Sequence, residues 1–155
     1  MPLTLVPIPA SRFSAWQARC QAEYAADLVA AGEPPSEADR HAAESLAESF
    51  PSGAPTAHHA VFDLVHEVDG VVGYLWIGPD RSEDEAAWWV WDVVVEPGHR
   101  GKGYGRTAML LAEDHARAAG ARTLGLSVFG HNETARRLYE SVGYDVTTVK
   151  MRKAL

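Results

Sequence analysis

Cysteine is nearly absent from this 155-residue sequence, and it contains no long apolar run. The single cysteine, Cys20, cannot form an internal disulfide or a cysteine-based zinc site, which favours a reducing, cytoplasmic setting. No apolar run approaches the ~20 residues of a membrane-spanning helix, and the first ten residues do not resemble a secretory signal. The seven histidines show no spacing typical of a zinc site, so we expect neither a metal nor a membrane partner.

Basic residues are also scarce, since 14 Lys and Arg stand against 21 Asp and Glu, for a net charge of −7. That balance argues against a nucleic-acid-binding protein, which is usually basic. The charge is divided unevenly along the chain. Residues 1–96 hold 16 acidic and 4 basic side chains, whereas residues 97–155 hold 5 acidic and 10 basic ones. Such a division suggests partners of opposite charge.

The sequence does contain an ordered series of β-type and helical segments. Apolar spacing, glycine and proline breaks and β-branched runs predict the order β-α-α-β-β-β-α-β-α-β. The predicted strands are residues 3–6, 59–68, 71–77, 87–95, 123–128 and 144–151, and the predicted helices are 12–31, 36–50, 106–119 and 133–141. Asp69-Gly70 predicts a two-residue hairpin turn. We expect one α/β domain over residues 1–155, with a central mixed sheet and helices on both faces.

The most informative segment is the glycine-rich loop of residues 100–106, RGKGYGR, between a predicted central strand and a helix. Glycines let the backbone turn tightly and approach a ligand closely. The first turn of a helix presents unpaired N–H groups and a partial positive charge. Arg100, Lys102 and Arg106 add further positive charge. Together these features predict a phosphate-binding site.

Two known nucleotide-binding patterns each lack a required residue in this loop or after it. A Walker A loop requires Ser or Thr after Gly-Lys, but Gly103 follows Lys102. Gly103, Gly105 and Ala108 formally match the G-x-G-x-x-A pattern of dinucleotide-binding proteins, although the acidic residue expected ~20 positions later is missing. An NAD(P)-dependent oxidoreductase is therefore a minor alternative.

The same loop resembles the central motif of the GNAT superfamily of N-acetyltransferases, Arg/Gln-x-x-Gly-x-Gly/Ala, through Arg100, Gly103 and Gly105. Other parts of the family pattern occur in the expected order. They are the strand end VVVEP at 93–97, the strand LGLSV at 124–128, the Asn-x-x-Ala-x-x-Leu-Tyr motif at 132–139, and Gly143-Tyr144. The resemblance covers about residues 71–152, and the joint order and spacing make it specific.

The resemblance implies an enzyme that transfers an acetyl group from acetyl-CoA to an amine by direct attack in a ternary complex. The acceptor side would lie at about 1–86 and the acetyl-CoA-binding core at about 87–152. Loop amides would hold the CoA pyrophosphate, the strand end would pair with the pantetheine arm, and an amide near Val95 would polarise the thioester carbonyl. The implied cofactor-binding residues are Val93, Val94, Val95, Arg100, Gly101, Lys102, Gly103, Tyr104, Gly105, Arg106, Asn132 and Tyr139.

Acetyl transfer needs a neutral amine and a protonated leaving thiol. By resemblance Tyr139 is the candidate general acid, and its alternative role is packing against the sheet. Asp92 is the candidate base, because it lies in a predicted central strand, where burial raises the pKa of a carboxyl. Strand alternation places it on one face with Trp88, Val90 and Val94; the alternative is a purely structural aspartate.

Other roles stay open on the acceptor side. His66, Glu67 or a water chain could replace Asp92 as the base. Cys20 lies on the apolar stripe of the first helix and is expected in the core rather than as a nucleophile. The acidic loop 80–85 suggests a small cationic amine as the acceptor, with an aromatic wall as a further cation contact, although a peptide amine also fits.

The main non-enzyme alternative is a CoA-binding sensor that has lost turnover. The family resemblance also allows a homodimer.

Overall fold

One five-stranded sheet organises the computed structural model, which describes residues 2–155. The strands lie across the sheet in chain order: β1 (Leu3–Pro7), β2 (Ala60–His66), β3 (Gly70–Pro79), β4 (Ala87–Val95) and β5 (Thr123–Leu126). Strands β1 to β4 pair antiparallel with their neighbours, whereas β5 pairs parallel with β4. The predicted mixed sheet is confirmed.

Four helices cover the two faces of this sheet: α1 (Ala10–Ala30), α2 (Pro35–Ser49), α3 (Tyr104–Ala118) and α4 (Glu133–Ser141). On one face, Ala108, Met109 and Ala112 of α3 are fully buried against the sheet. On the other face, Phe13 and Trp16 of α1 are buried with Leu46 of α2 and the adjoining Phe50, and the aromatic rings meet edge-on or tilted. The expected α/β sandwich of helices around a sheet therefore forms. No helix within residues 2–155 is both long and apolar enough to span a bilayer.

The predicted last strand is wrong, because residues 144–155 form no regular secondary structure. The apolar side chains that gave the β pattern, Val146, Val149 and Met151, are 54%, 64% and 89% exposed. They bury too little surface to stabilise a strand, since β propensity is realised only where side chains pack. Arg152 instead donates a hydrogen bond to the carbonyl of Gly32, between α1 and α2. The observed order is β-α-α-β-β-β-α-β-α.

The turn between β2 and β3 is longer than the predicted two residues. His66 pairs with Gly70, so the turn contains three residues, ending at Asp69. Gly70 then begins β3 with φ +73°, in the left-handed region that favours glycine.

A bulge in β4 changes which residues share a face with Asp92. The pairing with β3 passes from Trp76↔Asp92 to Ile77↔Val90, so Trp91 is an extra residue that breaks the alternation. Trp88 and Val90 consequently face α3, whereas Asp92 contacts Cys20 of α1. The prediction that Asp92 shares a face with Trp88 and Val90 is wrong. Asp92 lies instead on the α1 face, where Val94 also packs.

Candidate active site

The gap that begins where β4 and β5 stop pairing is the candidate cleft. The parallel ladder runs only from Ala87↔Thr123 to Val90↔Leu126, while β4 continues beside β3 as far as Val95. Residues 91–95 therefore have no strand neighbour on the β5 side. An unpaired strand edge of this kind can accept an extended ligand as an added strand. The predicted cofactor-binding residues Val93, Val94 and Val95 all lie on this edge.

The glycine-rich loop follows directly at the end of this cleft. Gly101 and Gly103 have φ values of +78° and +83°, and Gly103 is the N-cap residue of α3. Within residues 2–155, the backbone N–H groups of 101–106 donate no hydrogen bond to another residue. The loop and the first turn of α3 thus present a set of free N–H donors at a helix N-terminus, which is the arrangement that binds phosphate.

The basic side chains of the loop are engaged with other parts of the chain. Arg100 Nε donates to the carbonyl of Val95 at 2.9 Å, and Arg106 donates to Ser141 Oγ at 3.4 Å. Lys102 Nζ and the Tyr104 hydroxyl both donate to Asp69 Oδ2, at 3.0 and 2.5 Å. Lys102 is therefore paired with a carboxylate, whereas the two exposed guanidiniums keep further N–H donors that are free for a phosphate alongside the backbone of the loop.

Asp69 joins the β2–β3 turn to the glycine-rich loop. The hydrogen bonds from Tyr104 and Lys102 lower the pKa of Asp69 to about 2, so the carboxylate stays charged. His99 Nδ1 lies 3.8 Å from the same carboxylate. Sequence reasoning missed this contact, since Asp69 is 33 and 35 residues away from its partners.

Asp92 lies on the α1 side of the cleft and accepts two hydrogen bonds on one oxygen. Tyr74 of β3 donates to Asp92 Oδ2 at 2.6 Å, and the Cys20 thiol donates to the same atom at 3.4 Å. Burial raises the pKa of Asp92, and the nearby charges of Glu23 and Asp27 act in the same direction. Burial also raises the pKa of Cys20, so this thiol stays protonated, as expected of a core residue.

Tyr139 of α4 is the second predicted catalytic residue in this region. Its ring packs on the core beneath α3 and lies 6.3 Å from the ring of Tyr144. Burial, and next the negative charge of Asp92, raise the pKa of Tyr139 to about 12. The charge of Asp92 thus acts on Tyr139, while Asp92 itself contacts α1 and Tyr139 packs with the α3 side of the sheet. No residue within 2–155 hydrogen-bonds the Tyr139 hydroxyl.

Other residues named from the sequence have structural partners. Asn132 accepts a hydrogen bond from the N–H of Ala135 at 3.2 Å and caps α4, which confirms the predicted helix start. His66 Nδ1 accepts the N–H groups of Val68 and Asp69, and its ring lies 5.1 Å from that of Tyr104. His66 therefore lies beside the glycine-rich loop rather than beside Asp92.

The acidic loop 80–85 is a folded connection. Asp80 accepts the N–H of Ser82 at 2.9 Å, and Arg81 extends from the same loop to the end of α2, where it donates to the carbonyl of Ser45 at 3.1 Å. The Arg81 guanidinium lies 4.6 Å from the centre of the Trp91 ring. The cation beside the Trp91 ring is thus Arg81, a residue of this chain.

Comparison with known proteins identifies the family of this chain. Residues 19–144 match the model of the acetyltransferase (GNAT) family, and the chain belongs to that family. The match begins within α1, earlier than the motifs had indicated, and ends at Tyr144.

The chain is 33% identical to the uncharacterized N-acetyltransferase YycN of Bacillus subtilis over the full length of both proteins. It is 28% identical to YdgE of the same organism, covering all of this chain and 99% of that one. The crystal structure of YycN superposes with a TM-score of 0.88, covering 99% of this chain and 98% of that one. An aminoglycoside N-acetyltransferase solved with CoA shares the fold, with a TM-score of 0.62 at 11% identity, covering 99% and 94% of the two chains. The chain is therefore an acetyltransferase, and the oxidoreductase alternative is set aside.

Proposed function

We propose that this chain transfers the acetyl group of acetyl-CoA to the primary amine of a small cationic molecule. Both substrates bind together, with the cofactor along the free edge of β4 and its phosphates at the amides of residues 101–106. Asp92 takes the proton of the attacking amine. The amine nitrogen bonds to the thioester carbon, and the carbon–sulfur bond breaks as the tetrahedral intermediate collapses. Tyr139 then donates a proton to the departing thiolate.

The geometry that supports this proposal is a hydrogen-bonded carboxylate, Asp92, on the part of β4 that β5 leaves unpaired. The raised pKa of Asp92 brings the carboxyl closer to the range in which a base is effective. The pKa of about 12 keeps the Tyr139 hydroxyl protonated throughout the usual assay range. One group is thus suited to accept a proton and the other to supply one.

The charge on the acceptor side supports a cationic substrate. Glu23 and Asp27 lie one turn apart on α1, on the face that carries Cys20, and their charges reach Asp92. Arg19 is bound to Glu23 and Glu96 at 2.9 and 2.8 Å, so it offsets part of this negative charge. The acidic groups whose charges act on the proposed base therefore lie on α1 and not in the loop 80–85.

Release of free thiol from acetyl-CoA over a panel of amines tests the proposal. The panel contains an L-amino acid, an alkyl diamine, an aminoglycoside and a lysine-containing peptide. We expect turnover with the cationic small molecules and a fall in kcat of at least ~10²-fold in Asp92→Asn. Asp114→Asn is the matched control, since that carboxylate is exposed on α3.

Thiol release with none of the amines would favour a CoA-binding sensor. Unchanged kcat in Asp92→Asn would remove Asp92 as the base.

A further inference from the structure

The Asp92 carboxylate is held at one oxygen and free at the other. Both hydrogen bonds, from Tyr74 and from Cys20, reach Oδ2. No residue within 2–155 donates a hydrogen bond to Oδ1. A carboxylate fixed in this way has a defined orientation, with one oxygen left for a further donor.

The two donors come from elements on different sides of Asp92. Tyr74 on β3 pairs with Val94, so it is the diagonal neighbour of Asp92 on the same face of the sheet. Cys20 comes from α1, which packs across that face. Because the sheet and the helix each supply one donor, the carboxylate cannot rotate without losing a hydrogen bond.

Tyr74 is itself held in place. Its ring is 4% exposed and meets the Trp16 ring edge-on at 5.7 Å. The Arg19 guanidinium lies 5.5 Å from its ring centre, and Arg19 is anchored by its two ion pairs. The hydroxyl of Tyr74 has Asp92 as its hydrogen-bond acceptor, and burial together with the Asp92 charge raises the pKa of Tyr74, so it remains a donor.

We infer that Tyr74 is a positioning residue for acetyl transfer, which with the Cys20 thiol fixes Asp92 through Oδ2 and leaves Oδ1 to receive the amine proton. This inference rests on the proposed role of Asp92 as the base. Tyr74 and Cys20 act through Asp92 and exchange no proton with the substrate.

The direction of the effect follows from the groups that face Asp92. Glu23 and Asp27 of α1 favour the neutral carboxyl through their charges, as burial does. Tyr74 and Cys20 favour the charged carboxylate through their hydrogen bonds. Tyr139 of α4 is neutral below its pKa of about 12. Removing the Tyr74 hydroxyl therefore raises the pKa of Asp92 and moves the acid limb of the rate profile to higher pH.

Two measurements on Tyr74→Phe test the inference. The pKa of the Asp92 carboxyl is followed by ¹³C NMR, with Asp92→Asn to assign the signal. The pH dependence of kcat is followed at saturating acetyl-CoA and saturating amine, using the best acceptor of the panel. We expect the pKa of the carboxyl and the midpoint of the acid limb of the kcat profile each to rise by about one pH unit or more. This is the size of the effect of losing a hydrogen bond to a carboxylate. Cys20→Ala should give a smaller rise in the pKa of the Asp92 carboxyl. Cys20→Ser should return this pKa toward that of the unchanged chain.

Tyr144→Phe is the matched control, because its hydroxyl donates to Glu113 of α3 at 3.5 Å and not to Asp92. Tyr144→Phe should leave both the pKa of the Asp92 carboxyl and the pH profile of kcat unchanged. An unshifted carboxyl pKa and rate profile in a folded Tyr74→Phe protein would overturn the inference. A separate result would contradict the proposed role of Asp92 as the base. In that case kcat is unchanged in Asp92→Asn, even if the pKa of the Asp92 carboxyl measured by NMR shifts in Tyr74→Phe.

Discussion

At the scale of single residues, the Tyr139 hydroxyl differs from the other tyrosine hydroxyls near the site. Tyr74 donates to Asp92 and Tyr104 donates to Asp69, whereas Tyr139 donates to no residue within 2–155. Its ring is nevertheless held by packing on the core of the domain. A fixed phenol with a free hydroxyl is suited to interact with a group that arrives with the cofactor, such as the thioester sulfur.

Replacing Tyr139 with Phe should therefore separate turnover from cofactor binding. The ring contacts remain, but the leaving thiolate loses its proton donor. We expect kcat to fall on the order of 10²-fold, with the KM for acetyl-CoA changed by less than about twofold. Steady-state thiol release measures both quantities. Unchanged kcat in Tyr139→Phe would assign this residue to packing alone.

Contacts between distant residues are the part of the site that sequence reasoning could not supply. Motif matching pointed to Tyr139 and the loop, because they lie in segments with a family pattern, whereas Asp92 was proposed from its place in a predicted central strand. Tyr74 carries no motif and Asp69 was indicated only as part of a turn, and each meets its partner only after β3 or the β2–β3 turn has docked. Their roles depend on register and packing, which local patterns do not specify.

At the scale of elements, the junction between β4 and α3 combines a free strand edge with a free helix N-terminus. Strand β4 and helix α4 have the boundaries that the sequence predicted, since a β-branched and aromatic run and an N-cap asparagine are strong local signals. The bulge at Trp91 and the unpaired segment 144–155 were not predictable in this way. Both depend on which strand lies beside the segment in the sheet, and a β-type pattern alone does not specify that neighbouring strand.

Gly103 tests the junction directly. It adopts φ +83° as the N-cap of α3, and a Cβ there would meet no atom within 4 Å, so its requirement is conformational rather than steric. Gly103→Ala should cost about 1 kcal/mol or more of backbone strain and misorient the N–H donors of the loop. We expect the Kd for acetyl-CoA, measured by calorimetry, to rise by about tenfold.

Gly98→Ala is the matched control for this change. Gly98 lies in the 3₁₀ turn Pro97–His99, before the loop. A Cβ at this position would also meet no atom within 4 Å, and Gly98 does not have a positive φ. Its acetyl-CoA affinity should stay within about twofold of that of the unchanged chain. Equal losses in both variants would show that an added side chain before the loop is as harmful as one at Gly103, and would contradict a specific role for the Gly103 conformation.

At the scale of the whole molecule, the uneven charge of the chain is partly neutralised within the fold. Asp69 from the acidic half binds Lys102 of the basic half, and Glu96 binds Arg19 beside the proposed acceptor side. In the proposed binding mode the cofactor phosphates would meet the backbone N–H groups of the loop, where one of its cations, Lys102, is already paired. Affinity should depend on the shape of the loop more than on its formal charge.

Binding measured on the whole protein tests this arrangement. A ligand that binds only the folded state at 100 times its Kd stabilises that state by about 2.7 kcal/mol, which is roughly 5–10 °C in Tm for a domain of this length. We expect acetyl-CoA and CoA to give such a shift, and NADP and ATP to give none. Pantetheine lacks the phosphates and should give a much smaller shift at the same concentration. Gly103→Ala should reduce the acetyl-CoA shift and leave any pantetheine shift unchanged, because in the proposed binding mode only the phosphates contact the loop amides. A full-sized shift with pantetheine would mean that the β4 edge alone holds the cofactor and that the loop binds no phosphate.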